Sequence, residues 1–308
     1  MRKSLKLGAL SAILGMGMIL GACGGKEEAA SPTPGDDTGK TEATESIGEQ
    51  VDYKIIGIDP GAGLMNKTAE VIKEYQLDNW ELVEGSSAAM TAALKKAYDK
   101  KEPIIVTGWT PHWMFAKFDL KYLDDPKGVY GKDEEIHTIA RNGLKEEDPN
   151  AYSVLEKFEW TPDDMAEVMV AIYDGKEPEE AAKEWVEKHA DKVSTWTDGA
   201  EKVDGKNLVL AYVAWDSEIA STNVLAEALK GLGYKVEMLQ VEAGAVWSGI
   251  AGGSADASVA AWLPTTHEDY AKQFEGKYED LGTNLVGTKL GLVVPSYVEI
   301  NSIEDMLK

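Results

Sequence analysis

One segment sets the pattern for the whole fold, and it reads Pro103-Ile104-Ile105-Val106-Thr107-Gly108-Trp109-Thr110-Pro111-His112-Trp113. The apolar run at its start is short enough to be a buried strand, and the aromatic and proline residues follow where that strand ends. A second segment repeats this order, with an apolar run at 257–261 followed by Trp262-Leu263-Pro264-Thr265-Thr266-His267. Two matching strand ends in one chain predict two halves of similar design.

Each of these strands closes a run of the βαβαβ type. In the first run we expect strands at 54–59 and 80–83 and helices at 67–75 and 86–98. In the second run we expect strands at 208–213 and 236–241 and helices at 217–230 and 245–251. Short apolar strands that alternate with helices predict an α/β fold, with mostly parallel sheets flanked by helices.

Helices without strands fill the region between the two runs. Thr161-Pro162-Asp163-Asp164 is a capping pattern with proline at the first helical position, and it predicts a helix to Tyr173. Pro178 begins a further helix to about Trp196, and Asp148-Pro149 is a third possible start. At the end of the chain, Leu292-Val293-Val294-Pro295 predicts a late strand, and 302–307 a short helix.

Composition narrows the class of protein. The chain has 308 residues and 44% hydrophobic residues, which is typical of two globular domains. Its 31 basic and 54 acidic residues give a net charge of −23, which argues against a nucleic-acid partner and against electrostatic binding to an anionic membrane. A single cysteine excludes an intrachain disulfide, and the four histidines are too scattered for a local zinc motif.

The first 22 residues predict a secretory signal peptide. Arg2, Lys3 and Lys6 precede a short apolar stretch, and Leu20-Gly21-Ala22 precedes Cys23. The apolar stretch is shorter than the roughly 20 residues that span a bilayer. The pattern resembles a bacterial lipoprotein signal, which implies that Cys23 carries the lipid. Residues 23–51 are poor in large apolar side chains, and we expect a disordered tether there.

The residues at the predicted strand ends suggest a ligand site. Ligands of open parallel sheets bind beyond the carboxyl ends of the strands. Three tryptophans stand there, Trp109, Trp215 and Trp262. Indole faces attract a diffuse cation, and a quaternary ammonium is weakly hydrated and has no N–H to satisfy. The three residues therefore predict an aromatic cage for a quaternary ammonium, while the other five tryptophans that we considered are expected in the core: Trp80, Trp160, Trp185, Trp196 and Trp247.

An anion site is predicted beside the cage. Gly61-Ala62-Gly63-Leu64 is a glycine-rich turn before a helix, whose free backbone N–H groups can hold an anion. His267 can donate a ring N–H to the same anion. The four predicted strand-end segments, 61–64, 108–113, 215–218 and 262–267, contain no lysine or arginine. A carboxylate opposite a quaternary ammonium describes a betaine.

The folded region from Ile55 onward resembles the glycine betaine-binding lipoproteins of Gram-positive ABC importers, the OpuAC type. The matching stretches are 56–61, 108–114, 211–218 and 261–264. The resemblance implies that Trp109, Trp215 and Trp262 form the ammonium cage. It also implies that His267 and the backbone amides of Gly63 and Leu64 hold the carboxylate.

The same resemblance implies a circularly permuted, two-lobed periplasmic-binding-protein fold of type II. Lobe I would be 52–143 plus 290–308, and lobe II 144–289. The chain would be a monomer without cofactor or metal, held by its N-terminal lipid on the outer face of the cell membrane. It would capture glycine betaine, and proline betaine as well, and deliver it to an ABC permease that works with a separate ATPase.

Two other functions stay open at this point. The same fold could bind choline or carnitine. The chain could also be a tethered hydrolase with Ser86 or Ser87 as nucleophile, although no Gly-x-Ser-x-Gly elbow is present and a helix cap explains these serines. His112 and His267 as a pair of metal ligands lack a carboxylate at suitable spacing.

Overall fold

The computed structural model describes residues 45–132 and 134–308. The predicted signal peptide 1–22, the lipid attachment at Cys23 and the tether as far as residue 44 lie outside the described residues. Among the helices that are described, none combines the length and the apolar character that a membrane crossing requires.

The strands of the described residues follow the predicted alternation. They are β1 Lys54–Ile56, β2 Glu81–Val83, β3 Val106–Thr110, β4 Leu120–Tyr122, β5 Glu134–Arg141, β6 Asn207–Tyr212, β7 Lys235–Gln240, β8 Ala257–Leu263 and β9 Tyr278–Pro295. The helices are α1 Ile47–Gln50, α2 Gly63–Glu74, α3 Ser87–Lys100, α4 Met114–Lys117, α5 Leu144–Glu147, α6 Pro149–Lys157, α7 Pro162–Tyr173, α8 Pro178–Lys188, α9 Ala190–Trp196, α10 Asp216–Gly231, α11 Ala243–Gly252 and α12 Glu268–Gln273, followed by a 3-10 turn at Ile303–Leu307.

The strands form one continuous sheet in the order β2-β1-β3-β9-β5-β8-β6-β7, with β4 also paired to β9. Strand β1 is parallel to β2 and β3, and β6 is parallel to β7 and β8. These are the two predicted βαβαβ runs. The α/β fold class is therefore confirmed.

Strand β9 joins the two runs. It pairs with β5 from Tyr278 to Thr288 and then with β3 from Lys289 to Val293. We call residues 54–122 and 289–308 the first half of the molecule, and residues 134–288 the second half. The carboxyl ends of β3 and β8 meet near this crossing strand.

The sheet is mixed, whereas the sequence predicted mostly parallel sheets. The pairs of β9 with β3, β4 and β5, and of β5 with β8, are antiparallel. Strand β9 is interrupted by glycines with positive φ, Gly282 at 101° and Gly287 at 85°, and its register against β5 shifts along its length. The first part of β9, residues 278–289, is largely polar and broken by bulges, so it lacks the continuous apolar run that predicted the other strands. The late strand predicted at 292–295 is the end of β9.

Two expectations need correction. Residues 45–51, assigned to the tether, are folded: Ser46 and Glu49 form a capping box for α1, and Ile47 and Val51 pack against the core. The helix expected from Pro178 to Trp196 is interrupted at His189 and becomes α8 and α9. The lobe bounds 52–143 plus 290–308 and 144–289 stay a prediction. Strand β5 falls in the first of these ranges but pairs within the second half.

Candidate ligand-binding site between the two halves

The predicted strand ends line a narrow cavity. Its walls come from both halves of the molecule, and the lining residues are Ile58, Ala62, Leu64, Trp109, Trp215, Trp262, Thr266 and Leu290. The three tryptophans predicted as a cage thus line one shared cavity. Leu64, predicted for the anion end, lies in the same wall.

Each of the three tryptophans is placed by the end of a strand. Trp109 lies on β3, Trp215 is the N-cap of α10 just after β6, and Trp262 lies on β8. They are 3%, 5% and 3% exposed, as buried as the five tryptophans predicted for the core, which are also buried. Burial alone therefore does not distinguish a cavity wall from a core residue, and the strand-end position does.

Two of these indoles are hydrogen-bonded across the boundary between the halves. Trp109 of the first half donates its Nε1–H to Ser217 Oγ at 3.2 Å. Trp215 of the second half donates its Nε1–H to Asp59 Oδ2 at 2.9 Å. Because the bonds run in opposite directions, each half fixes a wall of the cavity that belongs to the other.

His267 lies directly behind the third tryptophan. Its Nδ1 accepts the backbone N–H of Trp262 at 3.1 Å, so the ring proton of the neutral form is on Nε2. Burial lowers the pKa of His267 to about 3, which keeps the ring neutral at ordinary pH. Within the described part of the chain, Nε2 is buried without a hydrogen-bond partner, and is thus a donor in search of an acceptor.

The structure does not put His267 in the wall of the tryptophan cavity. His267 lines a neighbouring cavity that is too small to hold a water molecule, together with Glu218, Trp247 and Ser258. Its ring lies 6.1 Å from Trp215, stacked at 27°. The histidine is therefore adjacent to the cage through contacts with two of its tryptophans.

Glu218 in this neighbouring cavity was placed in a predicted pocket segment without a role. One of its oxygens accepts the N–H of Val213 at 2.7 Å, which fixes the loop that leads to Trp215. Burial raises the pKa of Glu218 to about 8, outweighing the effect of that hydrogen bond. The carboxyl group is thus protonated at neutral pH.

Gly63 and Leu64 are the first two residues of α2, and no side chain caps that helix. The N–H groups of Met65 and Asn66 turn back to the carbonyl of Ala62, whereas those of Gly63 and Leu64 have no acceptor among the described residues. Gly63 lies against the backbone carbonyl of Thr266, where a Cβ atom would collide with it. The glycine is therefore needed for the close approach of the two halves.

The loop that carries Thr266 and His267 is held by Glu134, a residue that the sequence analysis did not single out. Its carboxylate accepts the N–H of Thr265 at 2.7 Å, the N–H of Thr266 at 2.5 Å and the hydroxyl of Thr266. Glu134 is buried on β5, a strand with no pattern of its own in the sequence. Its charge gave no local signal, because its partners lie more than 130 positions away.

The lining of the tryptophan cavity carries no charged side chain. Three aromatic walls without a carboxylate favour a delocalised cation over a primary amine, which needs hydrogen-bond acceptors. Next to these aromatic walls, the free N–H groups at the start of α2 and the free Nε2–H of His267 are hydrogen-bond donors. Together they provide complementary surroundings for a zwitterion.

The residues considered for hydrolysis or metal binding have other roles. Ser86 caps α3 through the N–H of Ala89 at 3.2 Å, as a structural serine would. Ser87 donates to Asp216 at 2.8 Å. No cluster of histidine, cysteine and acidic residues able to hold a metal ion occurs in the described residues.

Comparisons with known proteins identify the family of the chain. The model of the OpuAC family, described as the substrate binding domain of ABC-type glycine betaine transport system, matches residues 36–188 and 206–308. The glycine betaine/carnitine transport binding protein GbuC of Listeria monocytogenes serotype 1/2a (strain 10403S) is 59% identical over 268 residues, covering 86% of this chain and 89% of that protein.

Two solved structures are also similar. Lactococcal OpuAC in its closed-liganded conformation complexed with glycine betaine is 48% identical, covering 51% of this chain and 64% of that chain, with a TM-score of 0.47. The glycine/betaine/L-proline-binding protein ProX from Borrelia burgdorferi is 37% identical, covering 49% of this chain and 58% of that chain, with a TM-score of 0.48. This chain spans less than two thirds of either of them. From its family match and its identity to GbuC, the chain belongs to the OpuAC family of substrate-binding domains of ABC-type glycine betaine transport systems.

Proposed function

We propose that this chain captures glycine betaine, and proline betaine as well, in the cavity walled by Trp109, Trp215 and Trp262. Family membership already makes it an extracytoplasmic substrate-binding protein of ABC transport, with the type II binding-protein fold, and not an enzyme. The convergence of the three tryptophans on one cavity carries the proposal.

The trimethylammonium group would occupy the aromatic walls. Each indole face contributes roughly 0.5–2 kcal/mol to a cation that loses little hydration on entry. The uncharged lining supports this choice, since an ammonium with N–H groups would leave its donors without acceptors.

The carboxylate would be bound by the N–H groups of Gly63 and Leu64 and by the Nε2–H of His267. The first two are free at the start of a 12-residue helix, whose dipole favours an anion. The neutral state of His267 supports a hydrogen bond rather than an ion pair. Recognition by neutral donors suits a ligand with no net charge.

Capture would proceed by closure of the two halves around the ligand. One boundary that we propose is near residue 288, where β9 passes from its pairing with β5 to its pairing with β3. The reciprocal bonds of Trp109 and Trp215 support a site that is complete only when the halves are together. A ligand that contacts both halves would therefore stabilise the closed form.

The remaining parts of the proposal concern the setting. We propose a mature chain that begins at a lipidated Cys23 and acts as a monomer beside an ABC permease with a separate ATPase. Replacement of Cys23 by alanine should release the protein from the membrane into the medium, which fractionation would detect.

Carnitine is the second candidate ligand, because the relative from Listeria is named as a glycine betaine/carnitine transport binding protein. Carnitine has the same trimethylammonium and carboxylate groups on a longer chain. Choline lacks the carboxylate and would offer the donors at His267 and α2 only a neutral hydroxyl.

Calorimetric titration tests the proposal directly. The purified chain should bind glycine betaine much more tightly than glycine, its unmethylated form, and more tightly than choline. Carnitine and proline betaine in the same series would rank the alternatives. Comparable affinity for glycine and glycine betaine would refute the ammonium cage.

A further inference from the structure

A second set of contacts between the halves lies outside the ligand cavity, around Asp216. This residue is in the first turn of α10, in the second half. Its carboxylate accepts Ser87 Oγ–H at 2.8 Å and Trp113 Nε1–H at 2.7 Å, and His112 Nε2 lies 3.5 Å away. All three of these groups belong to the first half.

The groups around Asp216 are held in place by their own neighbours. His112 has a fully buried side chain, and its Nδ1 accepts the N–H of Met114 at 3.1 Å, which leaves the proton of the neutral ring on the Nε2 that faces Asp216. The indole of Trp113 stacks on Tyr173 of the second half, with ring centres 4.0 Å apart and planes at 24°. A buried histidine and a stacked indole thus present donors to one carboxylate.

The electrostatics of the cluster agree with this arrangement. Burial raises the pKa of Asp216, but the nearby His112 ring and the hydrogen bonds from Trp113 and Ser87 outweigh it and hold the net pKa below its usual range. The carboxylate is therefore ionised, and hydrogen bonds to an ionised acceptor are stronger than those between neutral groups.

We propose that Asp216 is a positioning residue for closure, which stabilises the closed arrangement through Ser87, His112 and Trp113 without contacting the ligand. It is not part of the wall of the tryptophan cavity. It directly precedes Ser217 and follows Trp215, the two residues whose bonds cross the same boundary. This inference rests on the proposed function, because closure is what the ligand is expected to stabilise.

The kinetic consequence follows from where the contacts exist. In an open form Asp216 would be hydrated at the start of α10, and its donors would be hydrated in the first half. The contacts therefore add to the stability of the closed form alone. A ligand enters the open form and leaves after reopening, so the loss of the contacts should raise the release rate and leave the association rate nearly unchanged.

Stopped-flow kinetics with glycine betaine would test this inference on the Asp216→Asn variant. We expect its release rate to rise about tenfold or more, as for the loss of a hydrogen bond to a charged group, with little change in the association rate. Trp113→Phe keeps a ring to stack on Tyr173 but removes the N–H together with part of the indole, so it should shift the same rate. The combined variant should show less than the product of the two single effects.

Asp163→Asn is the matched control. Asp163 is an exposed acid in the first turn of α7, in the same half as Asp216. It should change neither rate. Because the contacts add to the stability of the closed form alone, the melting temperature of the ligand-free protein should stay close to that of the wild type in all these variants. A lower melting temperature would indicate a merely structural role.

The outcomes separate the two proposals. Wild-type release rates in both Asp216→Asn and Trp113→Phe would overturn the role of Asp216, and if one variant fails to fold, the other decides. If the wild type binds no betaine, the proposed function fails instead. Energy transfer between dyes on the two halves of the ligand-free protein would then test Asp216 alone: an unchanged closed fraction in Asp216→Asn overturns its role, and a reduced one supports it.

Discussion

The two halves of the molecule present nearly the same motif and use it differently. Each has a tryptophan at a strand end, a proline two residues later and a buried histidine close by. In the first half, His112 faces the carboxylate of Asp216 at 3.5 Å. In the second half, His267 has no charged partner, and burial lowers its pKa to about 3.

This difference shows that the partner across the boundary determines what a strand-end residue does. His112 lies at the contact between the halves, whereas the Nε2–H of His267 has no hydrogen-bond partner among the described residues. The tryptophans show the same dependence, since Trp109 and Trp215 each donate to the opposite half while Trp262 has no hydrogen-bond partner for its Nε1–H in the described residues. Neither half contains a complete site.

The largest effect should come from Gly63→Ala, which prevents the two halves from approaching. A Cβ atom at this position would collide with the carbonyl of Thr266. We expect glycine betaine affinity to fall by at least about 100-fold, or about 2.8 kcal/mol, as measured by calorimetric titration. The helix itself should tolerate alanine, so the melting temperature of the ligand-free protein should be maintained.

Gly61→Ala is the control for this prediction. A Cβ atom at position 61 would meet only the hydroxyl of Tyr270, at 3.8 Å. This variant should bind nearly as the wild type does. Equal affinities of the two glycine variants would contradict the importance of the contact between Gly63 and Thr266.

The next effect should come from the wall that has no bond to the opposite half. Trp262→Ala removes one indole face from the cavity and should weaken glycine betaine binding by about 2 kcal/mol, or about 30-fold. Trp262→Phe keeps an aromatic face and should recover part of the loss. If phenylalanine and alanine weaken binding equally in titrations, the π-face is not what Trp262 supplies.

The two histidines should differ in the ligands that they affect. His267→Ala removes a donor for the carboxylate and should weaken glycine betaine about tenfold, while choline binding barely changes. His112→Gln acts on the contacts with Asp216 and should weaken both ligands by a similar, smaller factor. Titration of both variants with glycine betaine and with choline measures these effects. If His112→Gln also weakened glycine betaine selectively, the two histidines would not differ in role as predicted.

Local pattern predicted the repeated runs and the strand-end tryptophans because both are properties of short segments. The bonds that connect the halves join residues far apart in sequence: Trp113 and Asp216 are separated by 103 positions. Both residues were within the predicted strand-end segments, and the need of each buried indole N–H for an acceptor was the available signal. For Leu290 there was none, because it lies between the polar first part of β9 and the late strand predicted at 292–295.

The last effect is on stability rather than on ligand affinity, because Glu218 shares a cavity with His267 but should respond to pH in the opposite sense. Burial raises the pKa of Glu218 from 4.5 to about 8, so the folded state keeps a proton that the unfolded state has lost in this range. Its contribution to the free energy of unfolding is complete below pH 4.5 and is lost as the pH rises to about 8, by at most about 1.4 kcal/mol per pH unit. For His267, with a pKa lowered from 6.5 to about 3, the unfolded state holds the extra proton, so stability increases as the pH rises to 6.5.

The two slopes oppose each other between pH 4.5 and 6.5, and Glu218 acts without His267 above 6.5. Glu218→Gln keeps an acceptor for the N–H of Val213 and removes the titration. Urea unfolding between pH 6.5 and 8 should therefore show a flatter pH dependence for Glu218→Gln than for the wild type, whereas Glu156→Gln, at an exposed position, should keep the wild-type slope. A wild-type slope in Glu218→Gln would mean that this carboxyl group is ionised in the fold, and the loop before Trp215 would then be held by a charge rather than by a neutral acid.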